Sequence, residues 1–302
     1  MPAADEPSYY DLPLLKPPVW TWEIPAYFFL GGVSSGAYVL ARLAERFGGE
    51  PGRDVARAGM TTAALALAPC PVLLIKDLGD PKRFHHMLRV FKPASPMNLG
   101  SWALAAYSGV VALAVVGGRL PVRTTVVLDA AGIPLALLMA GYTGVLLSAT
   151  ATPVWSKNPW LGPLFSASAL HSGASAIGLA LEASRNPAPS ALSKAHSAGR
   201  VAEAMMLAGY VRTAGRFAEP MTRGKRAPLL WGGAVGAGLA LPELIERLPA
   251  RGKGGRWLRI TASMLGLLGG LALRWAVVSA GRPSASDPGA ARAASRPQFP
   301  KV

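Results

Sequence analysis

Long uncharged apolar runs separated by short polar breaks dominate the chain. Each run approaches the roughly 20 residues that a helix needs to cross a hydrocarbon core, so the pattern predicts membrane-spanning helices rather than the core of a soluble domain. Eight runs meet that description, at about 21–43, 59–76, 98–118, 125–150, 163–183, 200–217, 227–246 and 257–280. The sixth is the least apolar. The pattern therefore predicts an all-α integral membrane protein with about eight transmembrane helices, arranged as two four-helix bundles. Small residues such as Gly31, Gly32 and Gly36 allow close contact between neighbouring helices.

The runs divide the chain into an extramembrane N-terminal arm (1–20), a transmembrane domain (21–281) and a C-terminal tail (282–302). The arm carries Asp5, Glu6 and Asp11 and no basic segment before the first apolar run, so that run is read as a retained helix and not as a signal peptide. The tail is rich in Pro, Ala and Ser and is expected to be extended or disordered.

Composition agrees with the pattern. Of 302 residues, 51% are hydrophobic and only 16% charged, and the mean hydropathy is +0.31. A net charge of +15 would suggest nucleic acid for a soluble protein. In a polytopic membrane protein, anionic lipid headgroups are the simpler partner, and no nucleic-acid role is expected. Lys and Arg divide almost evenly between the loops on the two faces, which leaves the orientation open. The lone Cys70 can neither close an internal disulfide nor hold an iron–sulfur cluster, which takes about four thiolates, so any cluster belongs to a partner.

Polar groups at membrane depth are costly and are functional candidates for that reason. They are Glu23 and Tyr27 in the first run, Lys76 and Asp77 ending the second, Asp129 and Tyr142 in the fourth, His171, Glu203, Glu243 and Arg274. Let face A be the side on which the first helix starts. Alternating the runs then puts Glu23, Asp77, Tyr142 and His171 all in the half of the bilayer nearest face A. A carboxylate, a phenol and an imidazole together suit a quinone headgroup, which needs donors to two carbonyl oxygens and groups that exchange two protons. The structural alternative pairs Asp77 with Lys76 or Arg83 and places Tyr142 in an aromatic belt. Asp129, Glu203, Glu243 and Arg274, at varied depths, also raise proton translocation as a third reading.

The histidines argue against a b-type haem. His85 and His86 are adjacent in a loop and His196 falls in a polar connection, which leaves only His171 within the membrane. No metal site is expected.

The densest polar stretch is "KDLGDPKRFHHMLRVFKPASPMNLGSW", residues 76–102. Gly and Pro mark "DLGDP" as a turn. "KRFHHMLRVF" forms an amphipathic pattern suited to a short interfacial helix, and "KPASPM" blocks its continuation.

Four stretches carry a resemblance to a known family: "WTWEIPAYFFLGGVSSGAY" (20–38), "DLGDPKRFHHMLRVFKPASPMNLGSW" (77–102), "AGYTGVLLSATATPVW" (140–155) and "LRWAVVSAG" (273–281). The chain resembles the NrfD-type membrane subunits, which include the membrane subunit of polysulfide reductase. The resemblance implies an eight-helix, haem-free subunit of the bacterial or archaeal cytoplasmic membrane. Such subunits bind menaquinone or ubiquinone and dock a ferredoxin-like iron–sulfur subunit, here on the 77–97 loop. That partner joins a molybdopterin catalytic subunit or a multihaem cytochrome. Tyr142 matches a quinone contact of the family, and Glu23 or Tyr27 stands in for its contacts in the first helix. The expected site is Glu23 and Asp77 for proton exchange, with Tyr142, Tyr27 and His171 holding the quinone. A passive anchor without a quinone site is the alternative.

Overall fold

The computed structural model describes residues 14–116, 122–186, 188–248 and 252–295, with side chains from 130 in the fifth helix and from 254 in the last long one. All described secondary structure is helical. The chain runs through α1 (Glu23–Phe47), α2 (Gly49–Leu67), α3 (Cys70–Lys76), α4 (Pro96–Val116), α5 (Val122–Ser148), α6 (Leu161–Ala183) and α7 (Ser190–Ala214). It continues through the one-turn α8 (Glu219–Thr222), a wide π-type segment (Pro228–Ala240), α9 (Leu241–Glu246), α10 (Gly252–Ser279), α11 (Gly281–Ala285) and α12 (Pro288–Ser295). Pro69 and Pro71 separate α2 from α3, which together make one span, and the glycine-rich π segment runs directly into α9 to make another.

Among the described residues, seven helices are long and apolar enough to cross a membrane. They correspond to all the predicted runs except the sixth. That one is α7, 25 residues long, which packs along α6 and restores the alternation of faces. It was the least apolar run because its polar residues, among them His196, Arg200 and Glu203, point inward and are buried. The fold is thus an all-α membrane bundle of roughly eight spans. α1 packs on α2 and α5, and α5 on α4; α6 packs on α7 and α10, and α10 on the π segment.

The two halves meet where α1 crosses α6. A Cβ at Gly36 would lie 1.9 Å from the carbonyl oxygen of Ala169, so only glycine permits that approach. Gly32 has a different job. A Cβ there would lie 2.5 Å from Nη2 of Arg274, so its missing side chain makes room for a buried guanidinium.

Arg274 is fully buried and ties three helices together. Its Nε donates to Phe28 O in α1 (3.0 Å), Nη1 to Ser168 Oγ in α6 (2.8 Å), and Nη1 also to Gly270 O in its own helix (3.0 Å). At face A, Trp155 is completely buried, donates Nε1–H to Val277 O (2.8 Å) and stacks on Trp20 at 5.7 Å. Three of the four motif stretches, the first, third and fourth, therefore converge on one tryptophan. The tail departs from expectation. Instead of an extended segment, α11 and α12 continue beyond α10, and Arg282 donates to the carbonyls of Pro18, Val19 and Trp20. Backbone acceptors on the arm give this tail the fixed partners its composition did not reveal.

Candidate functional site

The first turn of α1, the end of α3, the first turn of α4 and the last third of α5 enclose a cavity of about 50 Å³ at face A. Tyr27, Asp77, Met87, Met97, Gly100 and Tyr142 are among its walls. Gly100 is needed there, because a Cβ would lie 2.0 Å from the Tyr142 phenol oxygen. The phenol donates to Pro96 O at 2.6 Å. Asp77 is half-buried at the C-terminal cap of α3. Burial, and to a lesser degree the charge of Glu23, hold its pKa above the usual carboxylate value.

An apolar groove of about 200 Å³ adjoins this cavity and shares Leu74, Met87 and Ser101 with it. The rest of its lining includes Pro71, Ile75, Phe84, Leu88 and Leu104. The groove lies beneath the 3₁₀ segment Pro81–Leu88, on the outer side of α3 and α4.

The expected site residues separate into three groups. Tyr27, Asp77 and Tyr142 share the cavity. Glu23 stands beside it, 3.3 Å from Lys76 Nζ and accepting from the Thr21 hydroxyl. Lys76 also lies over the Trp22 ring at 4.7 Å. The alternative partners for Asp77 are engaged elsewhere, since Lys76 bonds Glu23 and Arg83 pairs with Asp80 at 3.0 Å. His171 does not reach the cavity. It lies about 15 Å along α6 at ~1.5 Å per residue from the face-A end, and its Nδ1 is 2.7 Å from Glu203 Oε2.

His171 belongs to a second polar network, between α6, α7, α9 and α10. His196, predicted in a polar connection, is buried in α7 with its ring centroid 4.9 Å from that of His171. Two imidazoles in such contact leave no room for a porphyrin between them. His196 Nδ1 is 2.8 Å from Glu246 Oε1, and Arg200 binds both Glu243 and Glu246 at 2.7 Å. Glu182 at the end of α6 accepts from Arg256 and Arg259. The Asp129 side chain lies outside the described residues. Sequence reasoning found Glu203, Glu243 and Arg274 but missed His196, Arg200 and Glu246. The available signal was spacing: positions 196, 200 and 203 fall on one helical face.

Asn98 and Tyr142 both tie the 77–97 loop to the membrane domain, Tyr142 through Pro96 O. Asn98 in the first turn of α4 donates Nδ2–H to Met87 O (2.8 Å) and Val90 O (3.0 Å), and its Oδ1 accepts from Lys92 N (2.7 Å). The expected interfacial helix is a 3₁₀ segment, Pro81–Leu88, begun by Asp80 accepting from Lys82 N. Phe84, Leu88, Val90 and Phe91 remain exposed on it and just beyond.

The protein family described as "Polysulphide reductase, NrfD" matches residues 13–283. The chain belongs to the NrfD family. It is 30% identical to the C subunit of polysulfide reductase from Wolinella succinogenes over 299 residues, covering 87% of this chain and 94% of that subunit. It is 29% identical to protein NrfD of Escherichia coli over 199 residues, which covers 56% of this chain and 62% of that protein. In this NrfD-family chain, the stretch 77–102, one of the four that carry the resemblance, forms the lid and one wall of the face-A cavity. The stretches around Trp155 and Arg274 hold the helices that support it.

Proposed function

We propose that this NrfD-family protein is the haem-free, quinone-binding membrane subunit of a multisubunit oxidoreductase in a bacterial or archaeal cytoplasmic membrane. It passes electrons between a partner iron–sulfur subunit and menaquinone or ubiquinone. The observation that carries this reading is the small, mostly apolar cavity at face A, into whose walls Tyr27, Tyr142 and Asp77 are set, joined to an apolar groove beneath the loop. Two phenols and a carboxyl group with a raised pKa suit a quinone head, and the groove suits its isoprenoid tail. A passive anchor has no use for two phenols and a carboxyl group gathered on one cavity that adjoins an apolar groove.

The chemistry requires two electrons and two protons for each quinone reduced to quinol. Tyr142 donates a hydrogen bond to one carbonyl oxygen, and Tyr27 lies on the same cavity to serve the other. Asp77, at the membrane edge, gives and takes protons there, with Glu23 beside it. Ligand sites usually begin near ~300 Å³, whereas the cavity measures about 50 Å³. Admission of the head therefore requires movement of Met87 and Met97, whose side chains are unbranched and flexible.

The iron–sulfur partner, of ferredoxin type, docks on the 77–97 loop through Lys82, Arg83, Arg89 and Lys92 around the exposed Phe84 and Phe91. A molybdopterin subunit or a multihaem cytochrome completes the complex. The test is photolabelling of the assembled complex in membranes with an azidoquinone. Label is expected in peptides spanning 71–104 and around Tyr142, displaced by unmodified quinone. Displaceable label confined to other helices refutes the assignment.

A further inference from the structure

The second polar network has no part in the quinone site, yet it is a built and unusually deep one. On face B, opposite face A, a cavity of about 290 Å³ opens between α6, α7, α9 and α10. Glu182, Ser193, His196, Glu246, Arg259 and Ser263 are among its walls. From its floor a line of titratable groups leads inward. Glu246 Oε1 is 2.8 Å from His196 Nδ1, and His196 Nε2 is 2.8 Å from Ser175 Oγ. Ser175 Oγ and His171 Nε2 then converge over Gly266, at 2.5 Å and 3.2 Å from the position its Cβ would take. His171 Nδ1 meets Glu203 Oε2 at 2.7 Å. Glu203 lies about 20 Å from the start of α7 at ~1.5 Å per residue, near the bilayer middle.

Two features separate this line from a merely satisfied polar core. First, His196 has hydrogen-bond partners in both neutral tautomers. With Nε2 protonated it donates to Ser175, whose hydroxyl donates to His171 O at 2.9 Å, and accepts at Nδ1 from Arg200 Nη1 at 3.2 Å; with Nδ1 protonated it donates to Glu246 and accepts from the Ser175 hydroxyl, which then turns away from His171 O, a helix carbonyl. Neither state strands a buried donor or acceptor, so a proton shifts across the ring at small cost. Second, His171 is 1% exposed and its Nε2 has no hydrogen-bond partner among the described residues. That nitrogen and Ser175 Oγ are close enough to share a bridging water, because position 266 carries no side chain.

The geometry assigns these residues a proton path: Glu246, His196, Ser175, His171 and Glu203 form a half-channel that loads a proton from face-B water onto the Glu203–His171 pair in mid-membrane. A proton from water binds Glu246 and moves to His196 Nδ1, while His196 releases its Nε2 proton to Ser175. Ser175 passes its own hydroxyl proton through the bridging water to His171 Nε2, and the Nδ1 proton of His171 goes to Glu203. One proton has left the water, one has arrived, and no electron moves. The charged groups facing the path are Arg200, offset by Glu243 and Glu246; the Glu182, Arg256 and Arg259 cluster at the mouth; and Arg274, which Glu203 attracts electrostatically. This path stands apart from the quinone reading and survives its failure.

The full chain reconstituted in vesicles provides the test, with orientation scored by proteolysis of the exposed Pro81–Leu88 segment on face A. Infrared difference spectra after an acid pulse are expected to show a carboxylic-acid band that disappears in Glu203→Gln. The band should rise promptly after a pulse on face B and not after one on face A. His196→Gln, and Gly266→Ala, which pushes a methyl between Ser175 and His171, should each slow its rise about 10²–10⁴-fold, the contribution of a positioned proton-transfer group. Glu219→Gln, which alters an exposed pair with Arg223 away from the path, should leave the rate unchanged and shows that the fold tolerates loss of a charge. A band absent at every pH, one that responds equally to both faces, or one that rises at the same rate in Gly266→Ala and His196→Gln as in the unaltered protein overturns the path.

Discussion

Tyr142→Phe is the sharpest probe of the face-A cavity, because the structure sets its size from both directions. The phenol already donates to Pro96 O at 2.6 Å, so a quinone that takes this donor must replace an existing bond rather than gain a new one. Each bond contributes about 0.5–1.5 kcal/mol net, which makes a ~13-fold loss of quinone affinity the ceiling and a ~2-fold loss the expectation when the exchange is nearly even. The same bond predicts that ligand-free Tyr142→Phe protein loses about 0.5–1.5 kcal/mol of stability. Gly100→Ala is the paired perturbation. Its methyl would lie 2.0 Å from the phenol oxygen and 2.1 Å from Cζ, so the ring must leave the cavity wall. Overpacking of this kind costs about 1–3 kcal/mol, and the quinone should suffer more than from loss of the hydroxyl alone. Quinol-linked turnover of the assembled complex gives the apparent affinity, with partner activity measured separately by a soluble dye. Wild-type quinone affinity in both variants, with dye activity intact, refutes the cavity as the quinone site.

Asp77→Asn should slow quinone turnover about 10²–10⁴-fold with little change in affinity, as for loss of a proton-transfer group. The folded state raises the Asp77 pKa, so the stability contribution tied to its protonated form is full below the ordinary Asp value and lost as pH rises through the folded value. Asp77→Asn should therefore melt higher than wild type at neutral pH, an advantage that vanishes on acidification below that ordinary value. Asn98→Ala removes three loop hydrogen bonds and should speed protease cleavage of the already accessible 81–95 loop without unfolding the bundle, measured by cleavage rate and by melting. Reversing Arg83 and Arg89 together should release the iron–sulfur partner on affinity purification, through lost charge complementarity. The purified chain should show no b-type haem absorption, and a stoichiometric bis-histidine spectrum would contradict the ring contact of His171 and His196.

Membrane spans were legible wherever a helix turns apolar residues toward lipid, and less so where it does not. α2 begins at Gly49, ten residues before the predicted start, because Glu50, Arg53, Asp54 and Arg57 break the apolar run. Glu50 pairs with Arg53 and Asp54 with Arg57 at helical spacing, which sustains the helix outside the hydrocarbon. α7 failed the same way for the opposite reason, since its polar residues lie inside the protein and its outer face is too mixed to raise the average. Alternation of faces put Glu23, Asp77, Tyr142 and His171 in one half of the bilayer; of these Asp77 and Tyr142 line the cavity, Glu23 stands beside it and His171 does not reach it, because a face assignment gives depth only to half a bilayer and nothing about which neighbour a side chain meets. Asn98 left no trace in hydropathy, since its three bonds are to backbone atoms up to 11 residues away.

The two polar systems are separate in their hydrogen bonds but not in their electrostatics, and Arg274 is where they meet. Its Nε holds Phe28 O, and the Phe28 ring lines the face-A cavity. The charge that acts on Arg274 is that of Glu203, the end of the proposed proton path. Among the described residues no carboxylate lies within salt-bridge distance of Arg274, so its charge is balanced at longer range. At the low effective dielectric of a membrane interior, that balance is felt over several ångströms. Protonating Glu203 removes the negative charge that offsets Arg274 and leaves the cavity beside a stronger positive field. If the cavity holds a quinone as proposed, its reduced, electron-rich headgroup gains from that field, and by linkage its formation draws a proton onto Glu203. A single buried arginine with neutral acceptors on three helices is thus the physical element through which the proposed proton loading from face B and charge at face A would sense one another.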